Sequence, residues 1–209
     1  MSNKETNTLE PKLLYDGEHK IEKVIRELDD GKTESEVIKK GKTISTMVYN
    51  TKTEKYIFIE SYKLAADMVT AEVIKGVVEE EEKETQSVKR IIAETIGYKV
   101  EVTTHIMDYF MSPKDSDETC SLFYVEVSEK IDEDEDEKHF LSIEKLGLGG
   151  KLFLEDPEKL MLSKDDKKTM KKPYQVLDAK SLIGIMWVEN NNTLKNIARV
   201  LTNTKIRSL

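Results

Sequence analysis

The side chains of this chain that could do chemistry are mostly carboxylates, in the run Glu79-Glu-Glu-Glu82, at Glu94, and in Asp134-Glu-Asp136. Carboxylate oxygens suit hard cations such as Mg²⁺, although acidic runs more often form solvated faces. Other chemistries lack their residues. His19, His105 and His139 show no metal-ligand spacing with Cys120, so a zinc site is not expected. No Ser/His/Asp or Cys/His arrangement supports covalent catalysis. Gly147-Leu-Gly-Gly150 invites a phosphate-loop reading, but that motif needs glycine at Lys145 and a hydroxyl at Leu152, so a plain turn is expected.

Several elements must position these groups. From Thr85 to Ile96 the apolar positions Val88, Ile91, Ile92 and Ile96 recur at helical spacing, with Gly97 as the C-terminal stop. Glu94 sits on this helix, and positions 91 and 95 are its neighbours on the same turn. Those positions carry Ile91 and Thr95, and the apolar stripe alone accounts for Ile91 as a buried residue. Ile44 to Tyr49 and Tyr56 to Glu60 read as a hairpin around Asn50-Thr-Lys-Thr-Glu-Lys55. Lys20 to Leu28 and Ser35 to Lys39, split by Asp29-Asp-Gly31, read as earlier antiparallel strands. Val100 to Tyr109, Ser121 to Val127 and the short Phe140 to Ile143 are further strands, and Asp178 to Val188 and Leu194 to Leu201 are predicted as two closing helices. Asp156 to Lys172 reads as an exposed charged stretch, and Trp187 as core.

With 209 residues there is room for one substantial domain and its core. Met1 to Glu10 read as a loose tail. The net charge of -8, from 33 basic and 41 acidic residues, argues against nonspecific nucleic-acid binding, so an anionic ligand needs a local basic pocket or a metal. Cys120 is the single cysteine, which points to a reducing compartment, the cytoplasm. No signal-like segment is read, and the longest apolar run, Leu182 to Val188, is too short to span a bilayer. No membrane association is expected.

The segment Gly76 to Tyr98 resembles the Nudix box, G-x5-E-x7-R-E-U-x-E-E-x-G-U with U apolar, without a gap. Gly76, Glu82, Arg90, Glu94 and Gly97 fall on their positions, with Ile92 and Tyr98 apolar; Ile91 and Thr95 stand where the box has glutamate. Ile59-Glu-Ser-Tyr-Lys63, Glu72-Val-Ile-Lys-Gly76, Tyr109-Phe-Met-Ser-Pro113 and Asp178-Ala-Lys-Ser-Leu182 look like segments of the ADP-ribose and GDP-mannose hydrolase branch, and the similarity runs from Ile44 to Trp187.

The resemblance implies an α/β (α+β) fold, a mixed β-sheet sandwiched between helices and preceded by N-terminal antiparallel strands. It divides the chain into a tail (1–10), strands that serve as a dimerisation element (11–43), and a Nudix domain with C-terminal helices (44–209). It implies Mg²⁺ or Mn²⁺ as cofactor if the protein is active, and none if it is not. Glu94 and Glu82 are the metal candidates, and Glu94, Glu82 and Asp136 the catalytic ones. Glu72, Lys63 and Lys75 are the substrate-binding candidates, while Gly76, Arg90 and Gly97 are structural, with Glu82 and Arg90 pairing to brace the loop on the helix. Loss of the carboxylates at 91 and 95 removes two negative charges from the inner sphere. The expected function is therefore binding of a nucleoside-diphosphate sugar with weak or lost hydrolysis. A working pyrophosphatase on ADP-ribose or a GDP-sugar and a ligand-free interaction protein are the alternatives. Two readings stand for Lys75, an ammonium in the vacated cation site or an outward lysine, and two for Glu72, a ligand contact or a strand-end brace.

Overall fold

Alternating polar and apolar residues between turn signals give strands early in the chain. In a computed structural model describing residues 10–28, 31–131, 140–147, 151–154, 174–175 and 178–206, β1 (Lys12–Asp16), β2 (Lys20–Leu28) and β3 (Gly31–Lys39) form an antiparallel sheet of that order. β2 and β3 stay in register from Lys20↔Lys39 to Leu28↔Gly31. This sheet meets the body of the protein where Ile38 N donates to Asp115 O (2.9 Å) and Asp117 N donates to Ile38 O (3.2 Å). Asp117 Oδ1 also accepts from the backbone of Lys40 and Gly41, at 2.8 and 3.1 Å, which fixes the exit of β3.

The body is built around β4 (Lys42–Asn50), which is buried over most of its length. Its last residues pair with β5 (Lys55–Lys63) as the expected hairpin, from Val48↔Ile57 to Asn50↔Lys55. Its first residues pair instead with β7 (Ile74–Val77), while β6 (Met68–Glu72) pairs with the far half of β5. The helix α1 (Glu84–Ile96) follows, then β8 (Tyr98–Phe110) and β9 (Thr119–Lys130). β9 runs parallel to β4 along all of it, Lys42↔Thr119 to Asn50↔Val127, so the sheet is mixed. β10 (Leu141–Gly147), β11 (Lys151–Leu154) and β12 (Tyr174–Gln175) extend it beyond β5, in the order β12-β11-β10-β5-β4-β9-β8. β10 and β11 are antiparallel, with Gly147 paired with Lys151, and the rest of the Gly147-Leu-Gly-Gly150 segment lies outside the described residues.

Strand periodicity separates two cores. Ile44, Val48, Ile57, Phe123, Val125 and Val127 meet Val88, Ile91, Ile92 and Ile96 of α1 on one face. Met47, Phe58, Val73 and Ile143 meet Ile185 and Val188 of the last helix on the other, with Trp187 packed against them and its ring 5.5 Å from that of Tyr124. That last helix, α2 (Ala179–Ile206), is continuous, which corrects the expectation of two helices. Asn190-Asn-Asn192 looks like a break, but each Asn costs under about 0.7 kcal/mol in a helix. No Gly or Pro lies between Val188 and Leu194, and Asn191 Nδ2 donates to Trp187 O at 2.9 Å. Among the described residues no helix is long and apolar enough to cross a membrane. The tail expected over 1–10 lies, apart from Glu10, outside the described residues, as do Asp134, Glu135 and Asp136 and the charged stretch at 156–172.

Candidate functional site

The box begins where β7 leaves the sheet. The chain turns through Glu81 in the left-handed region (φ 66°), with Glu82 N bonded to Glu79 O at 3.1 Å. This strained turn is held by Arg90 of α1, the guanidinium donating to Glu82 from Nε at 3.1 Å and from Nη2 at 2.7 Å. The same Nη2 reaches Val77 O at 3.0 Å, and Ser87 Oγ donates to Glu82 at 2.6 Å. Bonds from Arg90 and then Ser87 hold the Glu82 carboxyl down at about 2. Both Glu82 oxygens are thus engaged in bracing the loop on the helix. Glu94 lies on the exposed face of α1, 3.4 Å from Arg90 Nη1. At the far end Gly97 takes φ 71°, and its N–H closes the helix on Ala93 O at 3.0 Å.

Ile91 faces the other way. It is 4% exposed and belongs to the core shared by α1 and the sheet. A Cβ added to Gly76 would stand 2.5 Å from Ile91 Cδ1, so the isoleucine fills the space that the missing side chain leaves. Thr95 is half-buried. Among the described residues no three Asp, Glu, His or Cys side chains gather as a metal set. A divalent ion of the kind implied by the Nudix resemblance does not fit this donor set, because Ile91 offers no oxygen and Glu82 is already committed to Arg90.

The other candidates converge nearby. Pairing of Ile59 with Glu72 and Ser61 with Thr70 puts Ile59, Ser61, Lys63, Thr70 and Glu72 on one face of β5 and β6. With Val73, Lys75, Gly76 and Val77, four of these (Ile59, Ser61, Lys63 and Glu72) line a cavity of about 340 Å³. Glu72, 8% exposed, accepts from Lys180 Nζ at 2.7 Å, Lys63 Nζ at 2.6 Å and Thr70 Oγ1 at 2.9 Å. Burial pushes its carboxyl up, yet the two ammoniums outweigh burial and hold it below the usual range. Lys180 shows the mirror effect: burial lowers it, and bonds to Asp178 (2.8 Å) and Glu72 raise it above the ordinary lysine value. Asp178 Oδ1 also caps α2 by accepting from Ser181 N at 3.1 Å, and Ser181 Oγ accepts from Val73 N at 2.9 Å, so the helix start is tied to the cavity wall.

Lys75 is held by Glu118, a carboxylate only 3% exposed that also accepts from Thr43 Oγ1 at 3.0 Å and lies 3.6 Å from Lys40 Nζ. Burial again pushes Glu118 up, and Lys75, Thr43 and Lys40 together more than offset it. Lys63, Glu72, Lys75 and Gly76 thus come together at one cavity, whose wall at Val77 is fastened by Arg90. Sequence reasoning missed Glu118, which ends a polar loop without a motif, and Lys180, although the segment Asp178-Ala-Lys180 had stood out.

Neither a family model nor a curated protein matches the sequence. Among solved structures, one described as an ADP compounds hydrolase superposes on 93% of this chain and 98% of its own, with a TM-score of 0.62 and 14% sequence identity. The likeness establishes the fold, a Nudix-type mixed sheet between helices with N-terminal antiparallel strands.

Proposed function

We propose that this protein binds a nucleotide-derived small molecule, a nucleoside-diphosphate sugar or a relative, in the cavity between β5, β6 and β7, with hydrolysis weak or lost. The fold shared with a hydrolase of ADP compounds and the convergence of Lys63, Glu72 and Lys75 support the binding half. The observation that carries the other half is Ile91, sealed into the core against Gly76 where the resembling motif has a carboxylate. Phosphoryl chemistry on a diphosphate needs charge neutralised at the reacting group, and Glu79, Glu82 and Glu94 are paired with Arg90.

The test pairs calorimetry on ADP-ribose and GDP-mannose with phosphate and nucleotide release from a panel of nucleoside-diphosphate sugars at millimolar Mg²⁺ or Mn²⁺. Binding without turnover is expected. Turnover abolished by Glu94→Gln would overturn the reading in favour of a working pyrophosphatase, and absence of binding would favour an interaction protein. Residues 11–43 serve, in the same proposal, as a dimerisation element. Leu13, Leu14 and Tyr15 of β1 are 50, 43 and 58% exposed on a sheet that stands apart from both cores, which supports a partner copy there. Light scattering should give twice the 24.0 kDa chain mass, and a monomeric mass refutes it.

A further inference from the structure

One buried carboxylate, Glu72, lines the cavity and another, Glu118, stands behind its lining residue Lys75, and each is held by two ammoniums, one that lines the cavity and one that does not. Glu72 is held by Lys63 at the cavity and by Lys180 behind it. Glu118 is held by Lys75 at the cavity and approached by Lys40 from outside it. We propose that Lys63 and Lys75 are exchangeable, and that they swing to the phosphate groups of the ligand and bind them without a divalent cation. This rests on the nucleotide-binding reading above and specifies how the phosphates are held.

The duplication is what makes the exchange feasible. Breaking a buried ion pair is costly when it strands the remaining charge. Here Glu72 keeps Lys180 at 2.7 Å and Thr70 at 2.9 Å when Lys63 departs, and Glu118 keeps Thr43 at 3.0 Å and Lys40 at 3.6 Å when Lys75 departs. Lys63 is the exposed member of its pair, with 43% of its side chain exposed against 7% for Lys180, and Lys75 and Lys40 are both about one-third exposed, at 32% and 34%. Charge adds to this. Lys63 and Lys180 balance Glu72 and Asp178, whereas among the described residues Lys40 and Lys75 share Glu118, which leaves one surplus positive charge in that set beside the cavity of a chain whose net charge is -8. Ile59, Val73 and Val77 in the same wall give the organic part of such a ligand an apolar contact. Lysine acts here as a point charge on a flexible stem, which suits a phosphate that must be picked up and released.

The experiment is calorimetric titration of the full chain with ADP and with inorganic pyrophosphate, in EDTA and in millimolar Mg²⁺. Binding in EDTA with an affinity that declines as salt rises is the expected result. Lys75→Gln and Lys63→Gln should each weaken it about tenfold, the scale of one lost charge-assisted contact. Lys75→Arg should retain most of the affinity. Lys52→Gln, the same charge change in the turn after β4, should leave affinity unaltered, and circular dichroism should show each variant folded. Binding that appears only with Mg²⁺ overturns this proposal and leaves the nucleotide-binding reading standing. Equal affinity for Lys75→Gln and wild type overturns it as well. Absence of binding under both conditions removes the nucleotide-binding reading itself.

Discussion

Restoring the carboxylate that the Nudix box has at position 91 tests the central geometric observation. Ile91→Glu removes an apolar side chain that is 4% exposed, packed among Val88, Ile92 and the sheet and pressed against Gly76. Burying an isoleucine contributes about 1.5–3 kcal/mol, and an acid placed there without a partner adds about 1–3 kcal/mol even after it neutralises. The sum, roughly 2.5–6 kcal/mol, corresponds to a fall of about 5–24 °C in Tm for a chain of this size. Differential scanning calorimetry of the variant beside wild type measures it. The sign of the pH dependence is also fixed. Burial raises the folded-state pKa of the new acid above its unfolded value. The loss relative to wild type should therefore be smallest in acid, and should grow as pH rises through that folded pKa. Adding Mg²⁺ should not restore the Tm. A drop under about 2 °C, or recovery in millimolar Mg²⁺, would show that position 91 looks into a solvated cation site. The account of Ile91 as core would then be wrong.

Two further perturbations probe the same frame. Gly76→Ala should cost about 1–3 kcal/mol by overpacking against Ile91, and Ile91→Ala about 2–5 kcal/mol by leaving a void. The double variant should cost clearly less than their sum, because the new methyl enters the space the isoleucine vacates; denaturant midpoints that add within about 0.5 kcal/mol would refute the contact. Lys180→Met removes the ammonium partner of Asp178 and one of the three bonds to Glu72 in a buried setting and should cost about 3–5 kcal/mol, whereas Lys63→Met, at a half-exposed pair, should cost about 1 kcal/mol or less. Equal losses in urea melts would mean that Lys180 is not the buried anchor.

What the sequence determined by itself was local. The helix from Glu84 to Ile96 and its Gly97 stop follow from apolar spacing of about 3.6 residues and the one residue that takes φ 71° without strain. The hairpin at Asn50 to Lys55 and the unbroken β2–β3 ladder follow from alternation around turn residues. The Glu82–Arg90 brace was legible only through the resemblance to the Nudix box, because Glu82 precedes the helix and its spacing to Arg90 carries no helical signature. The gap expected between Val188 and Leu194 is absent because the asparagines there are only weak helix breakers and neither Gly nor Pro lies among them.

Only the tertiary structure decided the electrostatics of the cavity. Lys180 meets Glu72 across 108 positions of sequence and Lys75 meets Glu118 across 43. Those meetings depend on β4 taking β9 as neighbour along all of one side, and β7 then β5 along the other. Short-range sterics write helix and strand periods into a sequence, but the neighbours of a strand are chosen by burial summed over the whole sheet. A charge opposite another across that sheet therefore has no local signature.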